Sequence, residues 1–286
     1  MHQTLPINNG NLSYQTFGKS QNPLLILHGG PGLGYNYLLP QMRALEKFSF
    51  AIFYDQRGTG NSTSTTEWQT NPFATYSNDI NALRKHFGLE KISLLAHSYG
   101  GIFASSYALN SPQHVDKIIY LNSVPLSSAD YLEFVKHRSH IVDENKSTLD
   151  AIRQTDNFKQ GDPETIEKFY RIYFKNYFAK PNLANTLSLT MTPEAAINNF
   201  KIYDFFYSYI QKYPFDFYAG LRKLNKPSLV IAADKDVIPI HYMQRLHESI
   251  PSSKYKLIEN CGHFPYIDQP EILFNTIKLF LTDKYQ

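Results

Sequence analysis

Ser98 sits in the run Ala96-His97-Ser98-Tyr99-Gly100-Gly101, directly after an apolar stretch over 92–96 and directly before a helix-like stretch over 100–110. A serine hydroxyl becomes a nucleophile only beside a base, and that base must be oriented by an acid. Strand, small-x-Ser-x-Gly and helix in succession form the turn that exposes such a serine at a sheet edge. Small residues two positions either side of Ser98 (Ala96 and Gly100) leave room for the sharp backbone that this turn requires. The helix that follows points its positive N-terminal end toward the nucleophile.

The partners should come later in the chain, acid before histidine. An apolar run over 228–232 leads into Ala233-Asp234-Lys235-Asp236-Val237-Ile238-Pro239. Asp236 is preferred as the acid because it stands a few residues beyond the strand end; Asp234 is the alternative, otherwise read as a solvated turn residue. Of ten histidines, His263 alone combines the right order with a loop position, in Gly262-His263-Phe264-Pro265 before the last helix-like stretch. Acyl transfer also needs two backbone N–H donors for the developing oxyanion. The amide of Tyr99, next after the serine, is one candidate. Gly30, in His28-Gly29-Gly30-Pro31-Gly32, is the other, with Gly29 expected beside the substrate. Cys261, two residues before His263, is expected to make the site sensitive to bulky thiol reagents.

These side chains need a scaffold that brings strand ends together. Apolar runs over 24–27, 50–54, 92–96, 117–121, 228–232 and 255–258 alternate with helix-like stretches over 35–47, 75–87, 100–110, 241–249 and 270–283. That alternation predicts an α/β fold with a mostly parallel sheet and flanking helices. Segments 4–8 and 11–17 flank Asn9-Gly10 and predict an N-terminal hairpin. Residues 125–226 break the alternation with helix-like patterning and no convincing strand. They predict an inserted helical cap over a core made of 1–124 and 227–286. Sixteen of the 50 residues from 169 to 218 are Phe or Tyr. They supply either the core of a small helical unit or the inner face of a lid over an apolar pocket.

Composition narrows the partners. The chain has 286 residues, enough for a full hydrophobic core, and one cysteine, which excludes an internal disulfide. A reducing, cytoplasmic setting fits that cysteine count. A net charge of +3 without a basic run does not favour nucleic acid. The expected partner is a small molecule or short peptide. No stretch is apolar enough to span a membrane, and no signal peptide is read at the N-terminus. The histidines and the cysteine lack metal-ligand spacing and no dinucleotide fingerprint occurs, so no cofactor or metal is expected.

Together, His28-Gly29-Gly30-Pro31-Gly32, Tyr54-Asp55-Gln56-Arg57-Gly58-Thr59-Gly60-Asn61-Ser62, Ser98-Tyr99-Gly100-Gly101, Asp236 and Gly262-His263 resemble the α/β-hydrolase superfamily. Within it they resemble the proline iminopeptidase (prolyl aminopeptidase) family. The resemblance covers roughly 23–124 and 227–284 and not the cap in detail. It implies an α/β-hydrolase fold with Ser98 as nucleophile, His263 as base and Asp236 as its orienter. It also implies a structural role for the Asp55–Ser62 block, with Arg57 and Asp55 bracing loops. The family's elbow usually reads Gly-Gly-Ser where this chain has Ala-His-Ser. Its members hold the substrate's free amine with cap glutamates, for which this chain has no matched counterpart. Among the acids in or near the cap (Glu133, Glu164, Glu167, Glu194, Asp204 and Asp216), Asp204 and Asp216 lie among aromatics and are the candidates. The implied reaction is release of N-terminal residues, proline favoured, from short peptides. The alternatives are an esterase, lactonase or amidase with the same triad, or a binding protein that kept the fold and lost turnover.

Overall fold

The computed structural model describes residues 2–64 and 69–285, with backbone only at 140, 142 and 143. The chain opens with strands β1 (Gln3–Ile7) and β2 (Gly10–Phe17), turning at Asn9 with φ of 62°. Strands β3 (Pro23–Leu27) and β4 (Phe50–Tyr54) follow, then the two-residue β5 (Thr63–Ser64) and helix α1 (Pro72–His86). Next come β6 (Ile92–His97), α2 (Gly100–Asn110) and β7 (Val115–Leu121). An inserted helical segment comprises α3 (Ser128–Val142), α4 (Lys146–Gln154), α5 (Asp156–Lys159), α6 (Pro163–Tyr173), α7 (Pro193–Lys212) and α8 (Tyr218–Leu221). The chain then returns through β8 (Ser228–Ala233), α9 (Ile240–Glu248), β9 (Ser253–Ile258), α10 (Pro265–Asp268) and α11 (Pro270–Leu281).

The described strands form one sheet in the order β1-β2-β4-β3-β6-β7-β8-β9, with β5 paired to β2. From β4 to β9 every pairing is parallel; β1, β2 and β5 add an antiparallel edge. Strands β6 and β8 are buried at every position, and β3 at all but its first. Such strands read as continuous apolar runs because helices cover both faces of the sheet. Register sets Leu27 beside Ala96, His97 beside Leu121, and Ala233 beside Ile258. The loops after β3, β6, β7, β8 and β9 therefore leave from one edge.

One element differs from its sequence reading. Residues 35–47 form two short 3-10 turns, Tyr35–Leu38 and Gln41–Lys47, rather than one helix. Pro40 between them lacks the N–H that a continuous helix would use. Between β7 and β8 no strand of the sheet occurs among the described residues, and one isolated bridge joins Ser127 to Asp216. The aromatics of this segment fill two needs. Phe206 packs down onto Tyr76, Tyr99 and Phe103 of the sheet layer at ring separations of 5.5–5.7 Å. Phe169, Tyr170, Tyr173, Phe174 and Tyr177 line a cavity above the sheet edge.

Candidate active site

Ser98 occupies the tight turn between β6 and α2 with φ of 54°, a left-handed value that costs a non-glycine residue strain. The surroundings hold it there. The Ser98 N–H donates to the Leu121 carbonyl (3.0 Å), and the Ser98 carbonyl accepts from the N–H groups of Gly101 (3.1 Å) and Val124 (3.2 Å). His97 and Tyr99 on either side are buried, while Ser98 stays partly accessible and lines the cavity. Gly29 passes so close that a Cβ there would lie 2.6 Å from the Ser98 Cβ. Only glycine leaves that space beside the hydroxyl.

His263 lines the same cavity. Its Nδ1–H donates to both carboxylate oxygens of Asp236, at 2.9 and 3.1 Å, and both side chains are buried. That bond leaves Nε2 as the unprotonated ring nitrogen, an assignment made from the partner. Asp236 also accepts the Ile238 N–H at 3.1 Å, which seats the carboxylate at the end of β8. Asp234 does different work: it accepts the Cys261 N–H at 3.0 Å and so braces the loop before His263.

The backbone of Gly262-His263 is held at all four of its polar groups. Asp268 accepts the Gly262 N–H (2.7 Å), and Asn122 Nδ2 donates to the Gly262 carbonyl (3.1 Å). The Tyr177 carbonyl, from the helical segment, accepts the His263 N–H (2.6 Å). His97 Nε2–H donates to the His263 carbonyl (2.9 Å). This last bond continues as a directed chain. The His97 Nδ1 accepts from the Tyr37 hydroxyl (2.7 Å), whose oxygen accepts the Gly29 N–H (2.6 Å). Burial, reinforced by the nearby His263, drives the His97 pKa well below its ordinary value, so the ring is neutral as the chain requires. The glycine loop after β3 and the histidine loop after β9 are thus tied together through the residue just before Ser98. His97 was visible only as a neighbour in the Ser98 motif. Asn122, Asp268 and Tyr37 gave no sequence signal, because these contacts join residues 60 to 166 positions apart or lie in unremarkable loops.

The glycine loop is itself braced. His28 donates from Nδ1 to the Gly29 carbonyl (3.0 Å) and accepts the Gln56 N–H at Nε2 (3.1 Å). Burial lowers its pKa to about 4. Arg57 forks onto Asp79 at 2.6 and 2.7 Å, while Asp55 accepts the N–H groups of Tyr35 (3.0 Å) and Asn61 (2.9 Å). Asp79, the partner of Arg57, carries no signal in the sequence, because the pair joins residues 22 positions apart. Gly30 adopts φ of 53° and lines the cavity. No protein acceptor takes the N–H of Gly30 or of Tyr99 among the described residues.

Three expectations need correction. The Gly29 N–H is committed to Tyr37 and Gly29 does not line the cavity, so it makes room beside Ser98 instead of contacting substrate. Asp216 is exposed at the base of the helical segment, where its carboxylate accepts the Tyr218 N–H (2.8 Å); it is not part of the cavity wall. Cys261 is fully buried, and burial, with nearby aspartates, raises its thiol pKa, so it is no reactive thiolate. Asp204 does line the cavity, from an exposed position on α7.

The cavity holds about 670 Å³. Its floor is Gly30, His97, Ser98 and His263, and its upper wall combines aromatic rings with a few charged side chains. Tyr177 meets the two at an edge, its ring 5.5 Å from the His263 ring and nearly perpendicular to it. An accessible hydroxyl and a carboxylate-held imidazole on one cavity, with two unclaimed amides in the adjoining loops, are the parts that acyl transfer uses.

A family model described as alpha/beta hydrolase fold matches residues 22–270. The proline iminopeptidase of Clostridioides difficile (strain 630) is 26% identical over 272 residues, spanning 88% of this chain and 87% of that protein. The proline iminopeptidase of Saccharolobus solfataricus is 27% identical over 289 residues, spanning 95% and 88%. Among solved structures, VinJ superposes with a TM-score of 0.73 at 20% identity, covering 99% of this chain and 98% of its own. The Mycobacterium smegmatis proline iminopeptidase gives 0.70 at 20%, covering 99% and 98%. An esterase from Exiguobacterium antarcticum gives 0.67 at 23%, covering 99% and 100%. These likenesses speak for the fold; the chain belongs to the α/β-hydrolase fold family and is similar over most of its length to proline iminopeptidases.

Proposed function

We propose that the protein is a serine hydrolase of the proline iminopeptidase type, releasing N-terminal residues, proline favoured, from short peptides through an acyl-enzyme. The observation that carries the hydrolase reading is the single cavity shared by Ser98 on its strained turn and His263 on its Asp236 anchor. Ser98 Oγ attacks the scissile carbonyl as its proton passes to His263 Nε2. The N–H groups of Gly30 and Tyr99 stabilise the oxyanion. Collapse breaks the C–N bond, and His263 returns the proton to the leaving amine. Water then repeats the sequence on the ester, giving up a proton to His263 and freeing Ser98. Asp236 stays ionised and supports the imidazolium formed in each half. The helical segment over 125–226 acts as the cap, and its aromatic wall receives the residue being released.

The peptidase part rests on the sequence relatives and on Asp204. A free ammonium brought against an aromatic wall must meet a carboxylate or lose several kcal/mol of hydration. Asp204 is the cavity acid with no ion-pair partner among the described residues, whereas Asp150 is shared by Lys146 and Arg153. The exposure of Asp204 keeps a second reading in play: a small-substrate esterase or amidase with the same triad. A panel of Pro-arylamide, its N-acetylated form and a simple aryl ester separates the two. The peptidase reading expects cleavage of the first and not the second, and Asp204→Asn lowering kcat/KM for the amide more than for the ester. Equal rates with and without the N-acetyl group, or turnover of esters alone, replaces it with the esterase reading.

A further inference from the structure

Arg138 is the cation in the cavity wall that has no carboxylate partner among the described residues. It projects from α3 into the cavity beside Val135 and Ser139. Its guanidinium lies over the rings of Phe134 (5.5 Å) and Tyr203 (5.6 Å) and donates one hydrogen bond, to the Tyr203 hydroxyl at 2.5 Å. Tyr131, Tyr173, Tyr177 and Tyr203 supply the polar groups around it. No carboxylate comes within ion-pair distance of it among the described residues. The other charged groups of the wall behave differently. Lys146 and Arg153 both pair with Asp150, and Asp204, exposed on α7, has no cation partner among the described residues.

A guanidinium carries five N–H donors in a planar fork suited to a carboxylate. One donor of Arg138 is used inside the protein. Tyrosine hydroxyls offset part of the desolvation of such a cation but bring no opposite charge. The site also lies close to the reacting groups. Tyr177 is common to both: its ring packs against His263, and its hydroxyl, which donates to Tyr173 (3.1 Å), belongs to the tyrosine set around Arg138. One aromatic residue thus separates the base from the unmatched cation.

We propose that Arg138 recognises a carboxylate on the leaving part of the substrate. This rests on the reading of the cavity as the active site of a serine hydrolase. On the peptidase reading, that carboxylate is the free C-terminus of a very short peptide, and dipeptides with an unblocked C-terminus are preferred over their amides.

Two substrate pairs test this without depending on each other. The first is prolylglycine against prolylglycinamide. The second is the butyrate ester of 3-carboxy-4-nitrophenol against that of 4-nitrophenol, corrected for the intrinsic reactivity of each ester. The expected result is a preference for the carboxylate-bearing member of roughly 10- to 100-fold in kcat/KM, the range of a charge-assisted hydrogen bond, expressed mainly in KM. Arg138→Gln should bring that ratio to about one, and Arg138→Lys should restore part of it. A bracing role alone would lower both members of a pair together and leave the ratio unchanged. No preference in the wild-type enzyme, or a preference that survives Arg138→Gln, overturns the proposal. If neither peptide is cleaved while the ester pair shows the preference, the peptidase reading fails and the Arg138 assignment stands.

Discussion

The floor and the upper wall of the cavity are built by different chemistry. On the floor, every backbone polar group of Gly262-His263 has a named partner, and a directed chain runs from Gly29 through Tyr37 and His97 to the His263 carbonyl. On the upper wall, aromatic rings meet at 4.9–6.1 Å with few directed bonds, and Arg138 stands without a counter-charge among the described residues. Hydrogen-bond networks fix atoms to within fractions of an ångström, which acyl transfer demands of its base. Aromatic packing supplies area and shape with tolerance for different occupants. The difference teaches where chemistry and selectivity should separate: floor substitutions should act on kcat, wall substitutions on stability or on the choice of substrate.

The strongest way to break this comparison is Asp236→Asn. Loss of the charge facing His263 Nδ1 should cost on the order of 10⁴ in kcat, whichever substrate is used. Asp234→Asn, which disturbs only the Cys261 N–H, should cost far less. A reversed order would move the acid to Asp234.

Beneath the wall, where the helical segment packs onto the sheet layer, Phe206→Ala removes a buried ring wedged against Tyr76, Tyr99 and Phe103. Unfolding in denaturant should show a loss of about 3–5 kcal/mol. A loss below about 1 kcal/mol would mean the helical segment is not anchored through this ring.

The floor also carries a pH signature. The folded-state pKa of His28 is lowered from 6.5 to about 4, so the unfolded chain binds its proton first. The stability that His28 contributes is full above pH 6.5 and is lost as pH falls toward 4, by about 3 kcal/mol. Asp55, raised to about 7 by burial, contributes with the opposite slope, so the comparison must be made against a variant. The stability gap between wild type and His28→Gln should narrow between pH 7 and pH 4. A constant gap contradicts the assignment of a neutral buried His28.

His97→Leu sharpens the same comparison. It leaves the Tyr37 hydroxyl and the His263 carbonyl without their partner and should lower kcat about 10²-fold, with KM for a neutral ester nearly unchanged. A change in KM alone would place His97 with the wall rather than the floor. The smallest effect belongs to Cys261. Thiol reagents should leave turnover untouched in the folded enzyme and label the residue only on unfolding.

Legibility followed locality. Strands β3, β4, β6, β7 and β8 were readable because burial on both faces writes them as apolar runs, and α2 was readable because the Ser98 turn announces its start. The split of residues 35–47 turned on Pro40, whose effect a helical pattern hides. That Ser98, Asp236 and His263 come to one sheet edge could be read from order and loop position, since each follows its own strand. Asp79, Asn122, Asp268 and Tyr37 could not, because their roles exist only once the sheet edge brings distant loops together. Asp204 and Asp216 looked alike among aromatics; the turn of chain after α7 puts one on the cavity wall and spends the other on the Tyr218 N–H. Arg138 carries no signal in the sequence, because its setting exists only once α7 brings Tyr203 against it.

The central claim is that Ser98 is the nucleophile, and active-site labelling tests it most directly. A fluorophosphonate probe followed by peptide mapping should place the adduct on Ser98 alone, with Ser98→Ala unlabelled, folded by circular dichroism and without measurable turnover. An adduct on another serine, or turnover retained in a folded Ser98→Ala protein, would contradict the account.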